Sequence, residues 1–333
     1  MNYHWQELVC DDAPLARSSH ALTGIGNKVY CIGGENEARV PIDMVVYELD
    51  LDVSPLRWRA IDTEEGSSPS PRIAHGQAAI GNRIWIFGGR NGVHMGEGPR
   101  NDIYYFDTTI MSWTGPVIAS TETIPPPRSF HKMVSVGDVL YVFGGCGEDG
   151  RLNDLFSFDT TTFAWTELAV SPNIVGRGGP GFVALPSLQS LVVATGYSGQ
   201  ENNDIHVYHI PSNRWTEVAA AGSGLFRARS VCPVATVGSH YMVLFGGEVA
   251  TSDRGHEGAG DFAADVVCLD LTGSPADKGL VVSVETAGGP TPIARGWTEM
   301  ASIGCGDESE AGICALTTDA LIDDMLTLST AVY

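Results

Sequence analysis

The sequence predicts an all-β fold, a six-bladed β-propeller formed as a single domain over residues 1–333. Three observations predict it: self-similar units spaced at about 50 residues, a Gly pair ending an apolar run in most units, and a Trp late in the unit. The clearest copy runs PRSFHKMVSVGDVLYVFGG, then an acidic loop, then NDLFSFDTTTFAWTEL. Its apolar runs and turns make four short strands, which is one propeller blade.

The Gly pairs fall at Gly33 and Gly34, Gly88 and Gly89, Gly144 and Gly145, and Gly246 and Gly247, with a single Gly196 in the fourth unit. The Trp recurs as Trp5, Trp58, Trp113, Trp165 and Trp215, and a sixth is missing near Val282. Trp5 lies in HWQEL, a fourth strand without its first three, whereas DDMLTLSTAVY at the other end is a third strand without a fourth. Pairing the two ends completes a sixth blade and removes the free sheet edges that invite aggregation.

An arginine stands at one register in all six units: Arg17, Arg72, Arg128, Arg177, Arg229 and Arg295. Each marks the crossing from one blade into the next, so these arginines and the loops after the Gly pairs are expected at one mouth. Two readings of the register stand side by side. The guanidinium forks clamp an anion, or they donate to carbonyls of neighbouring blades that would otherwise be buried without partners. His20, His75 and His131, three residues after their arginines, are expected in the core. Phe130 and Trp297 are expected to wall the mouth, and His94 to reach it from the loop RNGVHMGEGPRND.

Asp plus Glu number 40 against 19 Lys plus Arg, a net charge of −21, which opposes binding to nucleic acid or to an anionic membrane surface. The seven cysteines are odd in number and form no CxxC. With no basic start and apolar run at the N-terminus and no stretch long enough to span a bilayer, a cytoplasmic location is expected. The nucleophile elbow GxSxG, the phosphate loop GxxxxGK[ST], the dinucleotide fingerprint GxGxxG and the zinc motif HExxH are all missing.

These repeats resemble the kelch superfamily over essentially the whole chain. Within it, FGGEVATSDRGHEGAGDF of the fifth unit is similar to the corresponding segment of nitrile-specifier and thiocyanate-forming proteins. That resemblance implies a small-molecule enzyme of specialised metabolism, of lyase, isomerase or cyclase type. It implies substrate contact by arginines in motifs such as PRIAH and PRSFH, hence a catalytic role for Arg72 and Arg128, with Arg17, Arg177, Arg229 and Arg295 beside them in substrate binding. It further implies an Fe2+ held by E-x-x-x-D-x-x-x-H. Glu248 and His256 match the outer positions, Ser252 stands at the middle one, and Asp253 is adjacent. Either these side chains hold the metal or they tie down a Gly-rich loop. The alternative function is a non-catalytic kelch module that docks a protein partner. Six units fill the 333 residues and leave no space for the adaptor domain that docking propellers carry, which favours the enzyme.

Overall fold

The computed structural model describes residues 2–64, 66–92, 98–218, 226–252, 259–271, 282–283, 292–303, 312–316 and 325–331. Among them the strands group into four-stranded antiparallel sheets set around an axis, an all-β propeller. Five sheets take their strands in chain order. The first holds Ala21–Ile25, Lys28–Ile32, Val46–Asp50 and Trp58–Ile61, with the hairpin Glu35–Glu37 and Val40–Pro41 inserted after its Gly pair. The third has the longest central strands, with Lys132–Val136, Val139–Cys146, Arg151–Asp159 and Ala164–Glu167, and a register shift between Phe143 and Gly145. A further sheet holds Glu299–Ile303, Gly312–Leu316 and Met325–Ala331, and there the strand Asn2–Leu8 pairs with Met325–Ala331, Trp5 opposite Leu328.

Hydrophobic pattern follows position in the blade. Second strands are near-continuous apolar runs, such as VLYVFGGC and SLVVA, because both faces pack against neighbouring blades, and they are buried along almost their whole length. The outer strand of the fourth sheet, Arg214–Val218, is half-buried to exposed and carries polar residues accordingly. Cores form between blades. Trp85 and Phe87 of the second sheet pack with Val142, Phe158 and Trp165 of the third, with Phe87 and Trp165 ring centroids 5.0 Å apart.

The Gly pairs close the second strand with a turn that a side chain would obstruct. Gly88 and Gly89 have φ of +65° and +91°, and a Cβ on either would meet the carbonyl oxygens of Arg128 or Ile73 at 2.8 and 2.9 Å. In the fourth unit Thr195 takes the first Gly position at φ +61°, and its Oγ1 accepts a hydrogen bond from the Gly181 N–H at 3.0 Å.

The innermost strands of successive sheets touch around the axis. At one end they are joined by a closed ring of six backbone hydrogen bonds. The N–H of Ala74 donates to Ser19 O, Phe130 to Ala74, Gly179 to Phe130, Val231 to Gly179, Trp297 to Val231 and Ser19 to Trp297, all between 2.8 and 2.9 Å. Every ring residue stands at positive φ, from +44° at Val231 to +59° at Trp297, and each lies two residues after a register arginine.

His20, His75 and His131 lie just beneath the ring and are buried. Burial, reinforced by the charge of Arg17 on His20 and of Arg72 on His75, lowers both pKa values to about 3. Neither ring nitrogen of His20 has a hydrogen-bond partner. A histidine held neutral in the fold but free to protonate near pH 6.5 when unfolded stabilises the protein above that pH and loses the contribution as pH falls towards 3. His20→Met should therefore flatten the stability profile between pH 6 and pH 5 by about 1.4 kcal/mol per pH unit, measured by urea unfolding. An unchanged slope would show that His20 protonates in the native state.

Candidate active site

The register arginines are answered one by one in the structure. Arg128, fully buried, donates Nε–H to Pro126 O at 3.1 Å and Nη1–H to Gly144 O at 3.0 Å, and meets both carboxylate oxygens of Asp154 at 2.6 and 2.8 Å. Arg72 repeats this with Ser70 O, Gly88 O and Asp102. Arg177 does so with Val175 O, Thr195 O and Asp204, and Arg229 with Arg227 O, Gly246 O and Asp265. Arg17 pairs with Asp43 and the carbonyls of Leu15 and Gly33, and Arg295 donates Nε–H to Ile293 O. The carboxylates respond to the contact. Burial alone would raise the Asp204 and Asp265 pKa values, but hydrogen bonds from Arg177 and Arg229 hold both below the ordinary aspartate value.

These arginines therefore staple three pieces of chain inside the fold. None of them lines the pocket described below, and their contacts are those of a structural staple; the catalytic role expected of Arg72 and Arg128 and the substrate binding expected of Arg17, Arg177, Arg229 and Arg295 are separate from that pocket. The reason is depth: for Arg17, Arg72, Arg128, Arg177 and Arg229 the side chain extends from the crossing into the turn that closes the second strand, where a carbonyl and an aspartate take its donors.

The pocket opens on the same end of the axis, has a volume of about 170 Å³, and is floored by ring residues Phe130, Gly179, Val231 and Trp297. Its walls come from the loops after the Gly pairs. The residue following each pair bridges to the crossing segment of its own unit: Glu35 to Ser18, Arg90 to Ile73, Cys146 to Ser129, Tyr197 to Gly178 and Glu248 to Ser230. This shared register brings Arg90, Cys146, Tyr197 and Glu248 to one mouth. Arg39, from the turn between Glu35–Glu37 and Val40–Pro41, and Arg151, the first residue of the strand Arg151–Asp159, reach the same pocket.

Each of the three pocket arginines is held in place. The Arg39 guanidinium lies 5.2 Å from the Phe130 ring and 4.9 Å from that of Trp297, and pairs with Glu35 at 3.1 Å. Phe130 and Trp297 themselves meet edge to face at 5.6 Å. Arg90 donates Nε–H and Nη2–H to Gly92 O at 3.0 and 2.6 Å. Arg151 lies 4.6 Å from the Tyr197 ring. Two carboxyls complete the wall. Glu248 accepts from Gly260 N–H at 2.8 Å and from Trp297 Nε1–H at 3.1 Å, and burial raises its pKa against those bonds. Burial also pushes Glu201 up to about 7, opposed by a hydrogen bond with the Ser230 side chain and assisted by the Glu248 charge.

Phe130, Trp297 and Glu248, candidates from the sequence, line this pocket together with Arg39, Arg90, Arg151, Tyr197 and Glu201, which the sequence did not single out. Arg90 and Tyr197 share the register of Glu248, a signal visible in the sequence once the Gly pairs are aligned. His94, Asp253 and His256 lie outside the described residues. Of the set that Fe2+ would require, Glu248 alone is described, and both its oxygens are occupied by protein donors. Among the described residues no three His, Cys, Asp or Glu side chains come together as a metal-binding group.

A propeller with a charged, aromatic-floored pocket at one end of its axis is a class of scaffold that serves enzymes and binding proteins alike. This chain belongs to the kelch-repeat family: the family model for the KLHDC2/KLHL20/DRC7 kelch-repeats domain matches residues 19–247. It is 29% identical over 308 residues, 85% of this chain and 83% of the relative, to the N-(sulfonatooxy)prop-2-enimidothioate sulfolyase of Thlaspi arvense. It is 28% identical over 260 residues to the human Kelch domain-containing protein 3, a match that takes in 74% of this chain and 64% of that protein's length. The solved structure of YjhT superposes with a TM-score of 0.70 over 96% of both chains at 17% identity, a likeness of fold.

Stapling makes a specific forecast. Arg128→Ala, which leaves Asp154 and two carbonyls without their donor, should cost about 3 kcal/mol or more of stability, and Asp154→Asn should also destabilise. Denaturant midpoints at unchanged m-value would measure it. An Arg128→Ala protein of normal stability that had lost ligand binding would restore the substrate role.

Proposed function

We propose that this kelch protein acts on a small anionic molecule held in the pocket, as an enzyme of lyase, isomerase or cyclase type. The observation that carries this is the convergence of Arg39, Arg90 and Arg151, from three different units, on one pocket of a protein whose net charge is −21. Positive charge gathered against that background draws an anion in. A guanidinium presents planar, paired donors, and donors already held in place stabilise negative charge as it develops on a departing group. Stacking on Phe130 and Trp297 and on Tyr197 holds Arg39 and Arg151 before a ligand arrives, which limits the ordering cost of binding. The relative in Thlaspi arvense is named for a substrate that is itself a small anion. An Fe2+ at Glu248, Asp253 and His256 is part of the proposal on the strength of the resemblance, and no step above runs through it.

A docking function is the second reading, favoured by the match to the Kelch domain-containing protein. Under either reading the propeller is taken as six-bladed and closed by the pairing of Asn2–Leu8 with Met325–Ala331. The cytoplasm is proposed as its location, in keeping with the buried thiols of Cys31, Cys146 and Cys232; no helix of the described residues is long and apolar enough to cross a membrane.

Incubation with N-(sulfonatooxy)prop-2-enimidothioate, with and without Fe2+, tests the enzyme. The protein should accelerate sulfate release, and Arg90→Ala and Arg151→Ala should each lower the rate at least about tenfold while the fold is kept. No turnover by a folded protein would favour the docking module. Closure has its own check: removing residues 2–8 should expose a sheet edge and produce aggregation or a lower melting temperature. A truncated monomer with unchanged melting temperature would refute it.

A further inference from the structure

The pocket is bipolar, which a site for a simple anion does not require. Beside the arginines the pocket is lined by two glutamates, and they differ. Both Glu248 oxygens accept from protein donors, whereas Oε2 of Glu201 is out of solvent and has no hydrogen-bond partner among the described residues. An acceptor that is neither hydrated nor paired is costly to keep. The terminal torsion of glutamate is broad and twofold, so turning the carboxyl towards the pocket costs little.

We infer that Glu201 is a specificity-determining residue that accepts a hydrogen bond from a donor group on the anionic ligand, so that the pocket takes small anions carrying a hydroxyl or ammonium group at the end remote from the charge. The inference rests on the arginine pocket proposed above. Three features place Glu201 for the task. It lines the same pocket as Arg39, Arg90 and Arg151. It lies in the loop after Gly196, where its segment bridges to Tyr197, the residue beneath Arg151. Its Oε2 is left over as an acceptor without a donor among the described residues. A plain anion would meet repulsion from this carboxylate and offer nothing to it; an anion with a donor converts the same carboxylate into a contact.

Isothermal titration of the full chain with matched probes tests this: ethanesulfonate, 2-hydroxyethanesulfonate and 2-aminoethanesulfonate, and the same trio with a three-carbon spacer. In at least one spacer series the hydroxyl and ammonium probes should bind about tenfold more tightly than the plain sulfonate. Glu201→Ala should erase that ratio, and Glu201→Gln, which keeps an uncharged acceptor, should retain the hydroxyl preference and lose the ammonium one. Arg151→Ala should weaken all probes in parallel and preserve the ratio. Equal binding of all three probes to the wild type in both series, or a preference that survives Glu201→Ala in a protein of unchanged circular dichroism, overturns the assignment of Glu201 while leaving the arginine pocket intact. Absence of binding by every sulfonate, or indifference of the plain sulfonates to Arg90→Ala and Arg151→Ala, overturns the arginine pocket and the inference with it.

Discussion

Everything at the mouth depends on the staple between a register arginine and its aspartate. One guanidinium holds the carbonyl two residues behind it, the carbonyl of the turn closing the second strand, and a carboxylate from the start of the third strand. Three separate stretches of chain are fixed relative to one another by one planar group. Repeated from blade to blade, the staple fixes where each post-glycine residue stands. The charge pairs are sealed on the arginine side and partly open on the aspartate side, so the fork supplies geometry together with relief of buried carbonyls.

The hydrogen-bonded ring follows from the staples. Two residues beyond each arginine the chain turns through positive φ and passes an N–H to the carbonyl of the preceding unit. Conformations of that kind are unfavourable for Val231, Phe130 and Trp297, and they persist because the neighbours on both sides hold them. The consequence for the site is direct. The turn lifts Phe130 and Trp297 out of the strand alternation and lays them on the pocket floor, where Arg39 rests against both rings.

The two sets of arginines show how one residue type serves opposite ends. Those at the repeated register are consumed by the scaffold, and Arg39, Arg90 and Arg151 supply the pocket with charge. Repetition itself marks the first set as structural, since a need shared by every blade belongs to the blade. A binding site needs different groups in different blades, and Arg90, Cys146, Tyr197 and Glu248 differ at one shared position. The fourth unit illustrates the tolerance of the scaffold: Thr195 replaces a glycine there and its hydroxyl takes up an amide, while Tyr197 and Glu201 of the same loop diversify the wall.

The sequence by itself determined the all-β repeat, the positions of the Gly pairs and of the recurring Trp residues, the single register of the arginines and the core histidines. These are legible because they recur, and because apolar alternation and glycine turns report local geometry directly. From the residues alone both roles of the register arginines stood open, and the resemblance pointed to substrate contact. Only tertiary structure chose, since the partner aspartates lie 26 to 36 residues away and the depth of each side chain depends on the neighbouring blade. The pocket arginines Arg39 and Arg151 and the carboxyl of Glu201 were decided in the same way. They stand at no repeated register, and what gathers them is the arrangement of the blades around an axis, a long-range event that no local spacing records.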